Sequence, residues 1–244
     1  MDVFFHAFGP AHLAVLASVP IVAALLARVH RAAPQRSGLI RRLLGVVLLA
    51  NCAAYYVSFV ATGEQLFPGH VPLELCDVSV FLVAAVLLTR EARLFDVAYY
   101  WALAGAGNAL FTPNFTHASW FIWVQYFVSH GVIVAATLYL VLSRQARPRP
   151  GSIGRVFLIT NGYALLVGLF DWAFKTNYMY LRHKPPAPTL LDVLGPWPWY
   201  IVVGEGLAFG LFLLLYLPFR RAGFEPVPER GDAARMPEEP QLFQ

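Results

Sequence analysis

Seven long apolar blocks run through the chain, approximately over residues 10–28, 39–61, 74–89, 94–111, 119–143, 154–174 and 197–217. Several approach the roughly 20 residues that a helix needs to cross the hydrocarbon core of a bilayer. The apolar residues come in blocks rather than stripes. Only 13% of the 244 residues are charged and 58% are hydrophobic, whereas soluble domains are about a quarter charged. The expected fold is therefore all-α: a polytopic membrane protein with seven transmembrane helices. The third block is short, so it is expected to tilt or to start below the membrane surface.

Lys and Arg accumulate in cytoplasmic loops. Arg28, Arg31, Arg36, Arg41 and Arg42 follow the first segment, and Arg90 and Arg93 follow the third. Arg144, Arg147, Arg149 and Arg155 follow the fifth, and Arg220, Arg221, Arg230 and Arg235 lie in the tail. The opposite face holds only Lys175, Arg182 and Lys184. This asymmetry predicts an outside N-terminus and a cytoplasmic C-terminus, in keeping with an odd number of crossings. The net charge of +4 then follows from topology and gives no reason to expect nucleic acid as a partner. Residues 1–9 contain Asp2 and no Lys or Arg, so a cleavable signal peptide with a basic head is not expected. Residues 1–221 form the expected transmembrane domain. Residues 222–244, rich in Pro and charge, read as a disordered cytoplasmic tail.

Polar side chains inside a bilayer are costly and usually face the bundle interior or a wet cavity. Asn51, Tyr55, Ser58 and Thr62 share one helix face by spacing, as do Trp101, Gly105, Asn108 and Thr112. Trp123, Tyr126, Phe127 and His130 share a face of the fifth segment, and Gly168, Asp171 and Lys175 one of the sixth. Glu205 comes from the seventh. Most of these residues fall in the outer half of the membrane or near its centre. They predict an outward-facing vestibule lined by Asn51, Tyr55, Cys76, Asp77, Asn108, Gln125, His130, Asp171 and Glu205. The plainer reading, for any one of them, is an interhelical hydrogen bond that holds the bundle together.

The stretch VPLELCDVSVFLVAAVLL, residues 71–88, opens a membrane helix with Glu74, Cys76 and Asp77. A cysteine near a helix N-terminus gains from the helix dipole, while neighbouring carboxylates oppose a thiolate. On the residues alone, Cys76 reads equally as a small packing residue. His130 lies near mid-membrane and reads either as a packing histidine or as a general base for Cys76. Depth separates the two. His130 is eleven residues past Ser119, about 16 Å at helical rise, and Cys76 is about 6 Å into its helix. They meet only if the third segment starts sunken, which Pro68 and Pro72 allow, or if the helices tilt strongly. His117 is a shallower rival base. His6, His12, His117 and His130 share no usual ligand spacing, so no metal site is expected. Cys52 and Cys76 are predicted at different depths, and no disulfide is expected between them. Asn114-Phe115-Thr116 matches a glycosylation sequon.

The most specific strings are NYMYL, residues 177–181, and LLDVLGPWPWY, residues 190–200. With LELCD at 73–77 and SHG at 129–131 in the matching order, they resemble the YwaF-like bacterial integral membrane proteins and the related vertebrate transmembrane protein 164 family. The resemblance runs from the first segment through the seventh. It implies a lipid acyltransferase dependent on a cysteine and a histidine, matched here by Cys76 and His130. An acyl chain would pass from a phospholipid donor to a lysophospholipid acceptor through a thioester, without a cofactor, with membrane lipids as the partners. The bacterial branch implies a bacterial plasma membrane as the location. Hydrolysis is the same chemistry with water as acceptor. Two rival classes share the topology. One is a transporter or a lipid- or solute-binding protein using Asp171, Lys175 and Glu205 as binding charges. The other is a seven-helix receptor, although the seventh segment contains no Lys for a retinal Schiff base.

Overall fold

A computed structural model describes residues 2–4, 6–113, 117–185 and 189–220. Among them, seven helical rods follow one another, and each coincides with an apolar block. They are α1 (Pro10–Ala32), α2 (Ser37–Thr62), α3 (Leu75–Thr89), a broken fourth rod, α6 (Trp120–Leu142), α7 (Ser152–Phe174) and α8 (Trp199–Tyr216). The fourth rod is α4 (Ala92–Tyr100), a π-helical stretch (Trp101–Ala106) and α5 (Gly107–Phe111). One feature departs from an all-α fold. Strands β1 (Asp2–Phe4) and β2 (His117–Ser119) pair antiparallel, with Asp2 opposite Ser119. This ribbon ties the N-terminal segment to the start of α6. The expected tail and the Asn114–Thr116 sequon lie outside the described residues, and of His117 only the strand backbone is described.

The helix ends follow local chemistry. Pro10 occupies the first turn of α1, where its missing N–H costs nothing. Gly63, at φ 76°, closes α2 in the left-handed region. The Ser119 hydroxyl caps α6 by accepting from the Ile122 N–H at 3.3 Å.

Five rods are long and apolar enough to cross a membrane: α1, α2, α6, α7 and α8. α3 is a shorter apolar helix of 15 residues, and the fourth rod is broken by its π stretch. Helix α6 is central and packs on α1, α2, α3 and the π stretch. Its most apolar window is 61% buried, against 11% for α2, α7 and α8. Helix α7 turns Leu158, Leu165, Leu166 and Trp172 outward, as a lipid solvent permits.

Both ends of the bundle are tied by polar contacts. At one end, Asp96 is 3% exposed and takes Arg149 Nη2 at 2.7 Å and Arg155 Nη2 at 3.3 Å. The Arg149 backbone N–H donates to the same carboxylate at 2.8 Å. Gln145 Oε1 accepts from Ser37 Oγ and Arg41 Nη1 nearby. At the other end, the segment between α2 and α3 is locked to the turn after α7. Tyr178 Oη donates to the Pro68 carbonyl at 2.8 Å and accepts from the Val71 N–H at 2.9 Å. Burial pushes this phenol's pKa up, so it stays a neutral donor.

Candidate active site in the helical bundle

A cavity of about 600 Å³ opens between α2, α3, the fourth rod, α6 and the connection from α7 to α8. α2 contributes Tyr55, and the start of α3 contributes Glu74, Cys76 and Asp77. The fourth rod contributes Gly105, Asn108 and Thr112, and α6 contributes Gln125, Tyr126, Ser129 and His130. Met179, Tyr180, Thr189 and Leu191 close it from the loops. Two carboxylates line the cavity, and no Lys or Arg is among its lining residues.

Cys76 and His130 therefore share one cavity despite their different distances from their helix starts. α3 has 15 residues and its antiparallel neighbour α2 has 26, a difference of about 16 Å at helical rise. The chain between them spans that difference as non-helical backbone, and Glu74 N-caps α3. The lead-in is held by four bonds: Tyr178 Oη to the Pro68 carbonyl and from the Val71 N–H, Tyr163 Oη to the Leu73 carbonyl at 2.8 Å, and Met179 N–H to Glu74 Oε2 at 3.1 Å. Non-helical backbone at membrane depth is tolerated where it is buried in protein or lines a cavity.

The first turn of α3 leaves its amides without intrahelical partners. All three polar residues that open α3, Glu74, Cys76 and Asp77, line the cavity.

His130 is 6% exposed. Its Nδ1 lies 2.8 Å from the Tyr126 carbonyl. A carbonyl only accepts, so Nδ1 carries the proton and the neutral ring keeps its lone pair on Nε2. Nε2 has no hydrogen-bond partner among the described residues. This is the tautomer a general base requires. No hydrogen bond joins His130 to Cys76; the cavity is what the two share.

Six of the nine expected lining residues meet here: Tyr55, Cys76, Asp77, Asn108, Gln125 and His130. Three do not. Asn51 donates its side-chain amide to the Gln125 carbonyl at 3.1 Å and braces α2 on α6. Asp171 is fully buried and accepts from Thr176 Oγ1 and the Tyr178 N–H, which fixes the turn after α7. Glu205 accepts from Asn161 Nδ2 at 2.9 Å, between α7 and α8. The transport reading's charges, Asp171, Lys175 and Glu205, are thus absent from the cavity lining. Trp101 also leaves its expected face. The π stretch inserts an extra residue per turn and shifts the phase, so Trp101 turns to bond Thr160 while Gly105, Asn108 and Thr112 line the cavity.

Tyr126, expected on the His130 face, is not among the nine expected lining residues, and neither are Ser129, Met179 and Tyr180, yet all four line the cavity. Tyr126 precedes His130 by four residues, the spacing that puts two side chains on one helix face, and Ser129 is its immediate neighbour in the chain. Met179 and Tyr180 belong to the NYMYL string. Both sit at positive φ, 54° and 55°, a costly conformation for residues with a Cβ, held only where surrounding contacts dictate it. Here Glu74 holds the Met179 amide, and Tyr200 Oη donates to the Tyr180 carbonyl. Trp197 Nε1 donates to the Leu181 carbonyl at 3.0 Å. The LLDVLGPWPWY string thus clamps the NYMYL string over the cavity.

Helices of this length and composition, built around a polar cavity, define a helical integral membrane protein. The chain belongs to the TMEM164 family, whose model matches residues 7–216. No curated protein and no solved structure matches it.

Proposed function

We propose that this protein is an intramembrane lipid acyltransferase with Cys76 as nucleophile and His130 as general base. The observation that carries the reading is that both residues line one cavity, with His130 Nδ1 tied to a carbonyl and Nε2 without a partner. The family resemblance supplies the reaction class. Nε2 takes the thiol proton, and Sγ attacks the ester carbonyl carbon of a phospholipid. The oxyanion is met by the Asn108 amide and by N–H groups of the first turn of α3, where the helix dipole favours negative charge. The ester C–O bond breaks, and His130 returns its proton to the departing lysolipid oxygen. A lysophospholipid hydroxyl then gives its proton to His130 and attacks the thioester, whose C–S bond breaks, and His130 returns that proton to the Cys76 thiolate. With water as acceptor the same site is a lipid hydrolase. Tyr55, Asp77 and Gln125 contact substrate.

In this reading the chain crosses the membrane seven times, with the N-terminus outside and a cytoplasmic tail beyond residue 221. A bacterial plasma membrane as host rests on the family resemblance alone.

The test is intact-protein mass spectrometry after incubation with phospholipid and rapid quenching. The wild type gains one acyl mass, labile to hydroxylamine, and Cys76→Ser and His130→Ala do not. Turnover retained by a folded Cys76→Ala protein would rule out the covalent route.

A further inference from the structure

Three contacts converge on Tyr126, one helical turn before His130. Its ring lies against the imidazole, with centroids 4.1 Å apart and the planes at 34°. Its carbonyl accepts from His130 Nδ1 at 2.8 Å. Its hydroxyl crosses to the fourth rod and donates to the Ala109 carbonyl at 2.8 Å, next to Asn108. The side chain itself lines the cavity.

An imidazole on a helix rotates about two side-chain bonds, and a hydrogen bond at Nδ1 leaves the tilt of the ring free. The Tyr126 face removes that freedom. The Ala109 tether fixes the face in turn, because a tyrosine held at both ends of its ring cannot swing away from the histidine. The same bond connects the helix that carries the base to the rod that carries Asn108. We propose that Tyr126 is a positioning residue, which aims His130 Nε2 at the Cys76 thiol and couples that aim to the position of the Asn108 amide. This rests on the cysteine–histidine reading given above.

Misplacing a reacting group by about 1 Å costs on the order of 10²-fold in rate. In the present case Tyr126→Leu removes both face and tether and is expected to slow acyl transfer about 100-fold. Tyr126→Phe keeps the face, loses the tether, and is expected to slow it about tenfold.

The deciding experiment measures alkylation of Cys76 by a small thiol reagent against pH, on the full chain in detergent micelles with Cys52→Ala as background. Wild type, His130→Ala, Tyr126→Phe and Tyr126→Leu are compared, and tryptophan-fluorescence melting confirms that each is folded. The positioning role moves both Tyr126 profiles toward that of His130→Ala, Leu further than Phe. A purely packing role shifts melting and leaves the pH profile where it is. Wild-type profiles in both variants overturn the proposal, and if Tyr126→Leu does not fold, a wild-type profile in Tyr126→Phe alone overturns it. An unchanged profile in His130→Ala removes the base that Tyr126 would aim, and overturns the proposal together with the reading it rests on. Profiles that respond to Tyr126 and His130, in a wild type that forms no acyl adduct, uphold the positioning and overturn acyl transfer alone.

Discussion

Two asparagines look alike in the sequence and differ in the structure. Both lie on polar helix faces, and spacing alone gives either an amide for an oxyanion. Asn51 has used its amide on the Gln125 carbonyl. The Asn108 side chain lines the cavity and has no hydrogen-bond partner among the described residues. Asn108→Leu is therefore expected to slow acyl transfer by about 10²–10³-fold, the usual loss for one oxyanion donor, with the melting temperature little changed. Asn51→Leu is expected to cost about 1 kcal/mol of stability, the net worth of one hydrogen bond, and to leave turnover within a few-fold. Steady-state rates and thermal melts on the two variants check both halves; equal rate losses would contradict the assignment. The same logic explains what was legible residue by residue. Helical spacing identifies a face, so Tyr55, Asn108 and His130 were found. It does not identify the neighbour that the face meets. Asp171 and Glu205 stood on polar faces too, but the turn at Tyr178 met the one and Asn161 the other.

Element positions were legible because a membrane helix writes its length as an unbroken apolar run. The block at 154–174 became a helix over 152–174, and the block at 39–61 one over 37–62. Two things at this scale were not written that way. The π stretch at Trp101–Ala106 is a phase error within an apolar run, invisible to composition. The depth of α3 is decided by a strap elsewhere in the chain. Tyr178 sits more than a hundred residues after Pro68, yet its hydroxyl joins two points of the lead-in at once. Tyr178→Phe removes both bonds and is expected to cost about 1–3 kcal/mol, because buried backbone groups are left unpaired. Hydrogen exchange should report it locally, with faster exchange of the Val71 amide and of the first turn of α3, while α1 and α6 keep their protection. Acceleration spread evenly over all the helices would mean that the strap does not act on α3. Since the strap sets where Cys76 begins its helix, the same variant is expected to lose acyl transfer out of proportion to its stability.

At the scale of the whole molecule, the two ends of the bundle are built from different chemistry, and the difference bears on orientation. One end carries the arginines and is fastened by Asp96, which takes Arg149 and Arg155 while nearly excluded from solvent. Its arginine partners reach solvent, at 37% and 49% exposure, so Asp96→Ala is expected to destabilise the fold by about 1.5–3 kcal/mol, the worth of hydrogen bonds to a charged group, read as a lowered midpoint in denaturant. The other end carries the acidic cavity rim and its aromatic strap. A bundle charged in this way should insert with the arginine end in the cytoplasm. Single cysteines at Glu64, Arg93, Lys175 and Arg220, all exposed, test the arrangement in a Cys52→Ala, Cys76→Ala background. With a membrane-impermeant maleimide on intact cells, positions 64 and 175 are expected to label. Positions 93 and 220 should label only after permeabilisation. Arg93 is the informative site. The 15 residues of α3 reach only about 22 Å at helical rise, short of the roughly 30 Å hydrocarbon core, so the sunken lead-in must share the crossing. Labelling of position 93 from outside would mean that α3 and the fourth rod do not cross. The protein would then have five spans, and the cavity would belong to a half-inserted hairpin. Protection of position 93 together with outside labelling at 64 and 175 is the pattern that seven crossings require.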